Sequence, residues 1–459
     1  MKFFVISLAV ILAVGPAALG QSTSELERRV AELERKMRLI DPAFGAETSA
    51  QDLLGRLAQL EQKLDMVLAA SQMPQPVQAA AVAPAPAAAP PSQRPGLVPV
   101  SVTGDYQTSP NGETRLPVAG YMDFHVNRDS GDPFRPDFHR FVLLFGHSFS
   151  DRIKFWSELE LEHSLIEPSE GTGGEVALEQ AYLDFLIKPY FNLRAGMVLS
   201  PVGIVNERHE PPAFNGVERP FVETTIIPTT WRELGFGVTG DLGRGFRYRG
   251  YLTSSLDASR FNAEGGISEG RSKGFEASMR NPAKVIRLEY AGVRRLTLGA
   301  SVYTGHAGFN TPGVNPRVNL LEFDGRYSYR RVDFRGLFAN TWVSRAGELN
   351  RRLQLETGVN PNVASQMRGY YFEPAYHLLP RQARHDVIVF TRYEKYNTQQ
   401  RMPLGYQPLA QFNRSSWVTG VTFKPTADVA IKLDYNFNRN ESAIVKALNG
   451  INLGIGWWF

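Results

Sequence analysis

WVTGVTFKPTADVAIKLDYNFNRNESAIVKALNGINLGIGWWF, residues 417–459, carries in one stretch the pattern that decides the fold. Val429, Ile431, Leu433, Tyr435 and Phe437 alternate with Lys432, Asp434, Asn436 and Asn438. Period two is the repeat of a strand, so one face is apolar and the other polar. Pro425-Thr426-Ala427-Asp428 precedes this strand as a tight turn, and the longer segment 439–449 follows it. Alternation then resumes and runs to the end of the sequence given: Leu453, Ile455, Trp457 and Phe459 lie opposite Asn452, Gly454, Gly456 and Trp458.

The pattern extends backwards to about residue 117. Met122, Phe124 and Val126 alternate with Tyr121, Asp123, His125 and Asn127; Phe155, Leu159 and Leu161 alternate with Lys154, Glu158, Glu160 and Glu162. Sixteen strands are predicted, centred near residues 123, 143, 158, 182, 195, 237, 250, 288, 300, 325, 337, 373, 391, 420, 433 and 455. A soluble sandwich alternates too, so connection length has to decide. Short connections fall at 150–152, 188–190, 243–245, 330–331 and 425–428. Between them lie long ones at 164–175, 201–231, 256–283, 306–318, 344–368, 396–414 and 439–449. Short and long therefore alternate around the chain, as periplasmic turns and extracellular loops do in an outer-membrane β-barrel. The expected fold is all-β: a transmembrane antiparallel barrel of about sixteen strands over residues 117–459.

Composition agrees. The 459 residues contain 6 Trp, 17 Tyr and 28 Phe but no Cys, which excludes a disulfide scaffold, a thiol nucleophile and a zinc ribbon. Mean hydropathy is nevertheless only −0.24, as expected when an apolar outer band is diluted by polar lumen positions. Net charge is +4, no footprint for nucleic acid.

Ahead of the barrel, residues 1–20 read as a secretory signal, with Lys2, an apolar run from Phe3 to Val14 and small residues at Ala18-Leu19-Gly20. Residues 22–71 carry heptad-like spacing (Leu26, Val30, Leu33, Met37, Ile40, then Leu53, Leu57, Leu60, Leu64, Val67), expected to form a short periplasmic coiled coil broken at Asp41-Pro42. Residues 72–116 begin with a Pro/Ala-rich spacer and form a linker.

Sixteen strands enclose an aqueous channel, whereas eight would be filled by side chains. The longest connection, PVGIVNERHEPPAFNGVERPFVETTIIPTTW at 201–231, mixes apolar and charged residues and is expected to fold inward. Glu207, Arg208, His209, Glu210, Glu218, Arg219 and Glu223 are then candidates for a charged constriction. Strand residues of the lumen phase give pore-lining candidates: Arg140, Lys154, Glu158, Glu160, Asp184, Arg194, Arg247, Arg249, Arg287, Arg326, Arg392 and Lys432, with Arg330 and Arg335 counted in the same phase.

Export, strand number, PVGIVNERHEPPAF (201–214), RLEYAGVRRLTLGASVYTG (287–305), VFTRYEKYNTQ (389–399) and the alternating strand ending in Phe459 together resemble the phosphate-selective porin O and P family over residues 117–459. Trp457 and Phe459 resemble the insertion signal read by the barrel-assembly machinery. The resemblance implies a homotrimer in a Gram-negative-type outer membrane, contacting lipid and passing small hydrophilic solutes or inorganic anions, without a cofactor. Against a phosphate filter stands near balance of sign. Positions 1–116 hold 10 basic and 11 acidic residues, leaving 40 against 35 in the rest, whereas a filter needs a locally uncompensated positive field.

An enzyme is not expected, because no Ser, His and acid converge in the sequence. The run Glu207-Arg208-His209-Glu210 lacks recurring metal-ligand spacing, so no metal is expected either. The alternative function is structural. At about 3.1 Å per residue the spacer would span on the order of 90 Å, enough for the coil to tether the barrel to the cell wall.

Overall fold

The computed structural model describes residues 118–163, 174–274 and 278–459; the expected signal, coil and linker lie outside the described residues. The strands are β1 (Val118–Asp129), β2 (Arg135–Ser148), β3 (Ile153–Glu162), β4 (Glu175–Lys188), β5 (Phe191–Leu199), β6 (Arg232–Gly243), β7 (Phe246–Thr253) and β8 (Ala283–Tyr290). They continue as β9 (Leu296–His306), β10 (Arg317–Tyr329), β11 (Val332–Val343), β12 (Gln366–His377), β13 (Asp386–Arg401), β14 (Asn413–Thr426), β15 (Val429–Asn440) and β16 (Gly450–Trp458). Each pairs antiparallel with its sequence neighbours, and β1 pairs with β16 from Tyr121 opposite Trp458 to Asp129 opposite Gly450, which closes the barrel. All sixteen expected centres fall inside strands.

The seam is finished by Phe459. Gly120 and Phe459 exchange backbone hydrogen bonds of 3.0 and 2.9 Å, and the Phe459 ring stacks on Phe141 at 6.1 Å. A Cβ at position 120 would lie 2.6 Å from that ring, so glycine is what allows the close approach.

Connections alternate as read from sequence. Two-residue links at 189–190, 244–245, 330–331 and 427–428 lie at one end; 200–231, 254–282 and 344–365 lie at the other. We call these the short-turn and long-loop ends. Two readings need correction. Arg330 is not a lumen residue: it occupies the turn between β10 and β11 at φ 52°, with its guanidinium 5.3 Å from the Tyr329 ring. The expected plain connection at 344–368 contains helix α1 (Ala346–Thr357), with Leu349 and Leu353 buried and Asn350 exchanging hydrogen bonds of 2.9 and 2.8 Å with the Val363 backbone.

Period-two patterning sets what each face meets. Phe323, Phe372 and Trp417 point outward and are half exposed, alongside Leu433, Phe437 and Leu453. The inward phase is charged yet buried: Asp123, Arg140, Glu158, Arg287, Glu322, Glu394 and Asp434 are each under 10% exposed. A charged lumen wall is buried only if something covers it. That cover is the 200–231 connection, in which every residue is buried or half-buried. Its Val202, Val222, Ile226, Ile227 and Trp231 form one apolar cluster with Leu256, Phe261 and Ile267 of 254–282 and with wall residues Val285, Val318 and Leu320. Burial of this kind contributes about 1.5–3 kcal/mol for each large aliphatic or aromatic side chain.

Candidate functional site

The inward loop is held by directed bonds on almost every side. From Pro201 it leaves β5, and the Pro201 carbonyl accepts from Ser301 Oγ of β9 at 3.0 Å. The Val217 amide donates to Asp434 of β15 at 2.6 Å, Val222 to Glu394 of β13 at 3.0 Å, and the Asn215 side chain to Glu373 of β12 at 2.8 Å. Lys432 donates to the Gly216 carbonyl at 2.7 Å, Lys424 to Pro212 at 2.8 Å and Arg335 to Ala213 at 3.0 Å. Lys432, proposed from sequence as lining an open pore, is thus a loop anchor whose ammonium also sits 3.9 Å from the Phe214 ring.

Glycines in the wall leave room for this contact. A Cβ at Gly456 would lie 2.4 Å from Pro211, and one at Gly369 would lie 2.9 Å from Ile226.

The seven constriction candidates separate in space. Glu223 faces the loop's own backbone: one oxygen accepts from the Ile204 and Val205 amides at 2.7 Å each, and the other from Tyr371 at 2.7 Å. Burial raises its pKa to about 7 in spite of these donors. His209 bonds Glu179 at 2.9 Å and lies 3.5 Å from Glu158. Burial opposes its charge, but Glu179 and Glu158 raise its pKa to about 10. Arg219 donates to Thr229 and Thr230 at 2.7 Å each, and burial, with Arg140 nearby, lowers its pKa. Burial raises the pKa of Glu210. Glu218 meets His125 at 3.1 Å and Asn127 at 2.9 Å, and Glu207 meets Arg249 at 3.4 Å. Burial and the neighbouring Arg326 lower the pKa of Arg208.

The pore-lining candidates form two unlike groups. Toward the short-turn end of β7, β8 and β10, Arg247, Arg249, Arg287 and Arg326 surround Glu289 at 2.5, 3.7, 3.7 and 3.4 Å. Arg287 is also bound by Glu322 and Asp324 at 3.2 and 2.6 Å. Arg247 and Arg326 keep 30% and 26% of their side chains exposed. They share one carboxylate and face solvent, which is a local positive excess hidden by the overall balance of charge.

Elsewhere the charges are consumed in pairs. Arg194 makes a two-bond contact with Asp184 at 2.7 and 2.8 Å and lies over the Tyr182 ring at 3.8 Å. Arg392 bonds Glu394 and Glu373 at 2.7 and 3.1 Å. Arg140 lies 3.4 Å from Asp123 and 3.3 Å from Glu160, and Lys154 donates to Ser148 at 2.9 Å.

Glu179 escaped sequence reading. The β3–β4 register shifts between Glu158 and Leu159, so Glu179 and Gln180, although adjacent, both reach Glu158 or His209 on the inner side. A β-bulge breaks period two. The visible signal was the inward sequence Ala177, Glu179, then Tyr182 and Asp184, a jump from odd to even positions.

A closed wall of sixteen antiparallel strands, apolar outside and charged inside, with one long connection folded across the lumen, defines a porin-type barrel. The chain belongs to the same family as an uncharacterized protein of Aquifex aeolicus (strain VF5), to which it is 36% identical over 330 residues, or 69% of this chain and 74% of the relative. No protein-family model matches the chain. Among solved structures, the Salmonella typhi OmpF complex with daunomycin aligns over 76% of this chain and 99% of its own with a TM-score of 0.52 at 12% identity. The anion-selective porin from Comamonas acidovorans aligns over 76% and 100% with a TM-score of 0.50, also at 12% identity. At these identities the likeness is one of fold.

Proposed function

We propose that the protein is an outer-membrane porin, passing small hydrophilic solutes and ions by passive diffusion without catalysis, with an anion preference set at the short-turn end. The observation that carries this reading is the pair of solvent-facing guanidinium groups, Arg247 and Arg326, that share the carboxylate Glu289. Rings of guanidinium groups favour anions in a pore, and Arg matches the geometry of phosphate oxygens. Phosphate is therefore a solute of interest, in keeping with the resemblance to the phosphate-selective O and P porins. The 200–231 loop narrows the lumen in this reading. Outward apolar side chains such as Phe323, Phe372 and Trp417 meet lipid. Homotrimer assembly, passage through the barrel-assembly machinery and a periplasmic amino-terminal coil belong to the same proposal.

Planar-bilayer recording of the purified protein under a potassium chloride gradient tests it. Discrete open-channel steps with an anion-side reversal potential are expected. A membrane that stays silent at high protein loading would end the porin reading, and a cation-side potential would end the anion preference alone.

A further inference from the structure

On the wall away from the arginine group, β1 and β2 place two imidazoles and a carboxylate around one point. Asp123 Oδ2 lies 2.9 Å from His125 Nε2 and 3.3 Å from His139 Nδ1. One donor atom from each residue lies within 4.8 Å of the others. Asp123 and His125 are 3% and 5% exposed. We propose that Asp123, His125 and His139 bind a divalent first-row transition metal ion, with Glu218 of the inward loop positioning His125.

The distances fit shared coordination. Ligands about 2.0–2.1 Å from a tetrahedral ion stand roughly 3.3 Å apart, close to the spacings from Asp123 Oδ2 to the two rings. Two imidazoles and one carboxylate are the donor set of zinc, nickel or copper rather than of magnesium or calcium. The supporting contacts also fit. Metal on His125 Nε2 leaves Nδ1–H to donate to Glu218 Oε1, 3.1 Å away, the carboxylate–histidine–metal arrangement that fixes ring and tautomer. Arg140 Nη2 lies 3.4 and 3.2 Å from the two nitrogens of His139 and so imposes neither tautomer. Its charge is already shared between Asp123 and Glu160.

The contrast with His377 shows what is particular here. His377 also sits between two carboxylates, Asp386 at 2.7 Å and Asp333 at 2.8 Å, but through opposite ring nitrogens. No single ion can join that pair, and the ring bridges two carboxylates by hydrogen bonds. At β1 and β2 one oxygen faces two rings.

An approach path exists. The site opens on a cavity of about 300 Å³ bordered by Asp123, His125, His139, Glu160 and Glu218. His163 beyond the end of β3 has its ring 6.0 Å from His139. Side-chain exposure falls from 45% at His163 to 20% at His139 and 7% at His125. Imidazoles therefore lead from solvent to the buried ligands.

A second group, Glu158, Glu179 and His209, also brings three donors together. Its Glu158 already accepts from Tyr121 at 3.0 Å and Gln180 at 2.6 Å, and the group pins the loop. It is the rival that the experiment has to separate.

The test is calorimetric titration of zinc chloride into the full-length protein in detergent, with copper(II) electron paramagnetic resonance on the same sample. One site per chain is expected, with hyperfine structure from two imidazole nitrogens. His125→Gln with His139→Gln abolishes it, and Glu218→Gln weakens it by about ten- to a hundredfold. His209→Gln leaves the stoichiometry at one. Heat-modifiable gel migration shows whether the double variant has folded. If it has not, the nitrogen count of the unaltered protein decides. No zinc binding, a copper spectrum with fewer than two nitrogens, or loss of the site through His209→Gln but not the double variant each overturns the assignment.

Discussion

The two sides of the lumen use the same kinds of charged residue to opposite effect. On β7, β8 and β10 several arginines share Glu289, and Arg247 and Arg326 stay in contact with solvent. On β1 to β4 carboxylates outnumber their guanidinium partners, but Glu158, Glu160 and Glu179 are almost fully buried against His209, Arg140 and Tyr121. The difference lies in exposure: these carboxylates are enclosed by their partners, whereas Arg247 and Arg326 keep 30% and 26% of their side chains exposed. Sign alone does not make a selective surface; a charge neutralised by a partner a few ångströms away presents little net field to a passing ion.

That contrast can be broken most directly by reversing the exposed side. Arg247→Glu, Arg249→Glu and Arg326→Glu together are expected to move the reversal potential from the anion to the cation side. An unchanged potential would place selectivity elsewhere. The next largest effect is expected from Glu223→Ala. It leaves the Ile204 and Val205 amides and the Tyr371 hydroxyl without a partner, at about 1–3 kcal/mol for each buried group. The loop should loosen while the barrel survives, seen as larger single-channel conductance with unaltered heat-modifiable migration; unchanged conductance would mean that the loop does not limit flow.

Smaller still is the response to pH. The folded pKa of Glu223 is raised from 4.5 to about 7, and that of His209 from 6.5 to about 10. A raised folded pKa contributes stability that is complete below the unfolded value and is lost as pH rises through the folded one. Loop docking should therefore weaken in two stages, between pH 4.5 and 7 through Glu223 and between 6.5 and 10 through His209. Hydrogen exchange of residues 200–231, corrected for the intrinsic rate, is expected to report more opening at pH 9 than at pH 6; the reverse order would contradict the assigned shifts. The least effect is expected from Glu160→Gln, whose oxygen is already committed to Arg140 at 3.3 Å. Its reversal potential should move less than that of Arg326→Gln.

Much of the wall was legible because a strand repeats every two residues. Each of the sixteen centres and the inward phase of residues such as Asp123, Arg287 and Asp434 follow from alternation. Where alternation breaks, legibility ends: Glu179 lies at the β3–β4 irregularity, and Arg330 occupies a positive-φ turn. Helix α1 was missed inside what reads as a polar connection. The inward course of 201–231 was suggested by its mixed composition, but its partners were not. Glu223 meets Tyr371 and Asn215 meets Glu373 across wide sequence gaps, and local spacing carries no trace of such meetings. The His125–His139 pair was hidden for a related reason. Its members belong to neighbouring strands, so only the β1–β2 register, which pairs His125 with Asp137, brings them together.

The glycine gaps in β16 have a consequence for the order of assembly. Pro211 rests where a Cβ at Gly456 would intrude, and Val217 where one at Gly454 would. These seats belong to the strand that joins β1 to complete the ring. Until that strand arrives the loop has only part of its mould, and a barrel that closes in the wrong register offers none of the recesses in the right place. Settling of the loop thus records that the circle was closed correctly. Protease added during refolding should cut within 200–231 until the β1–β16 seam forms and spare it afterwards.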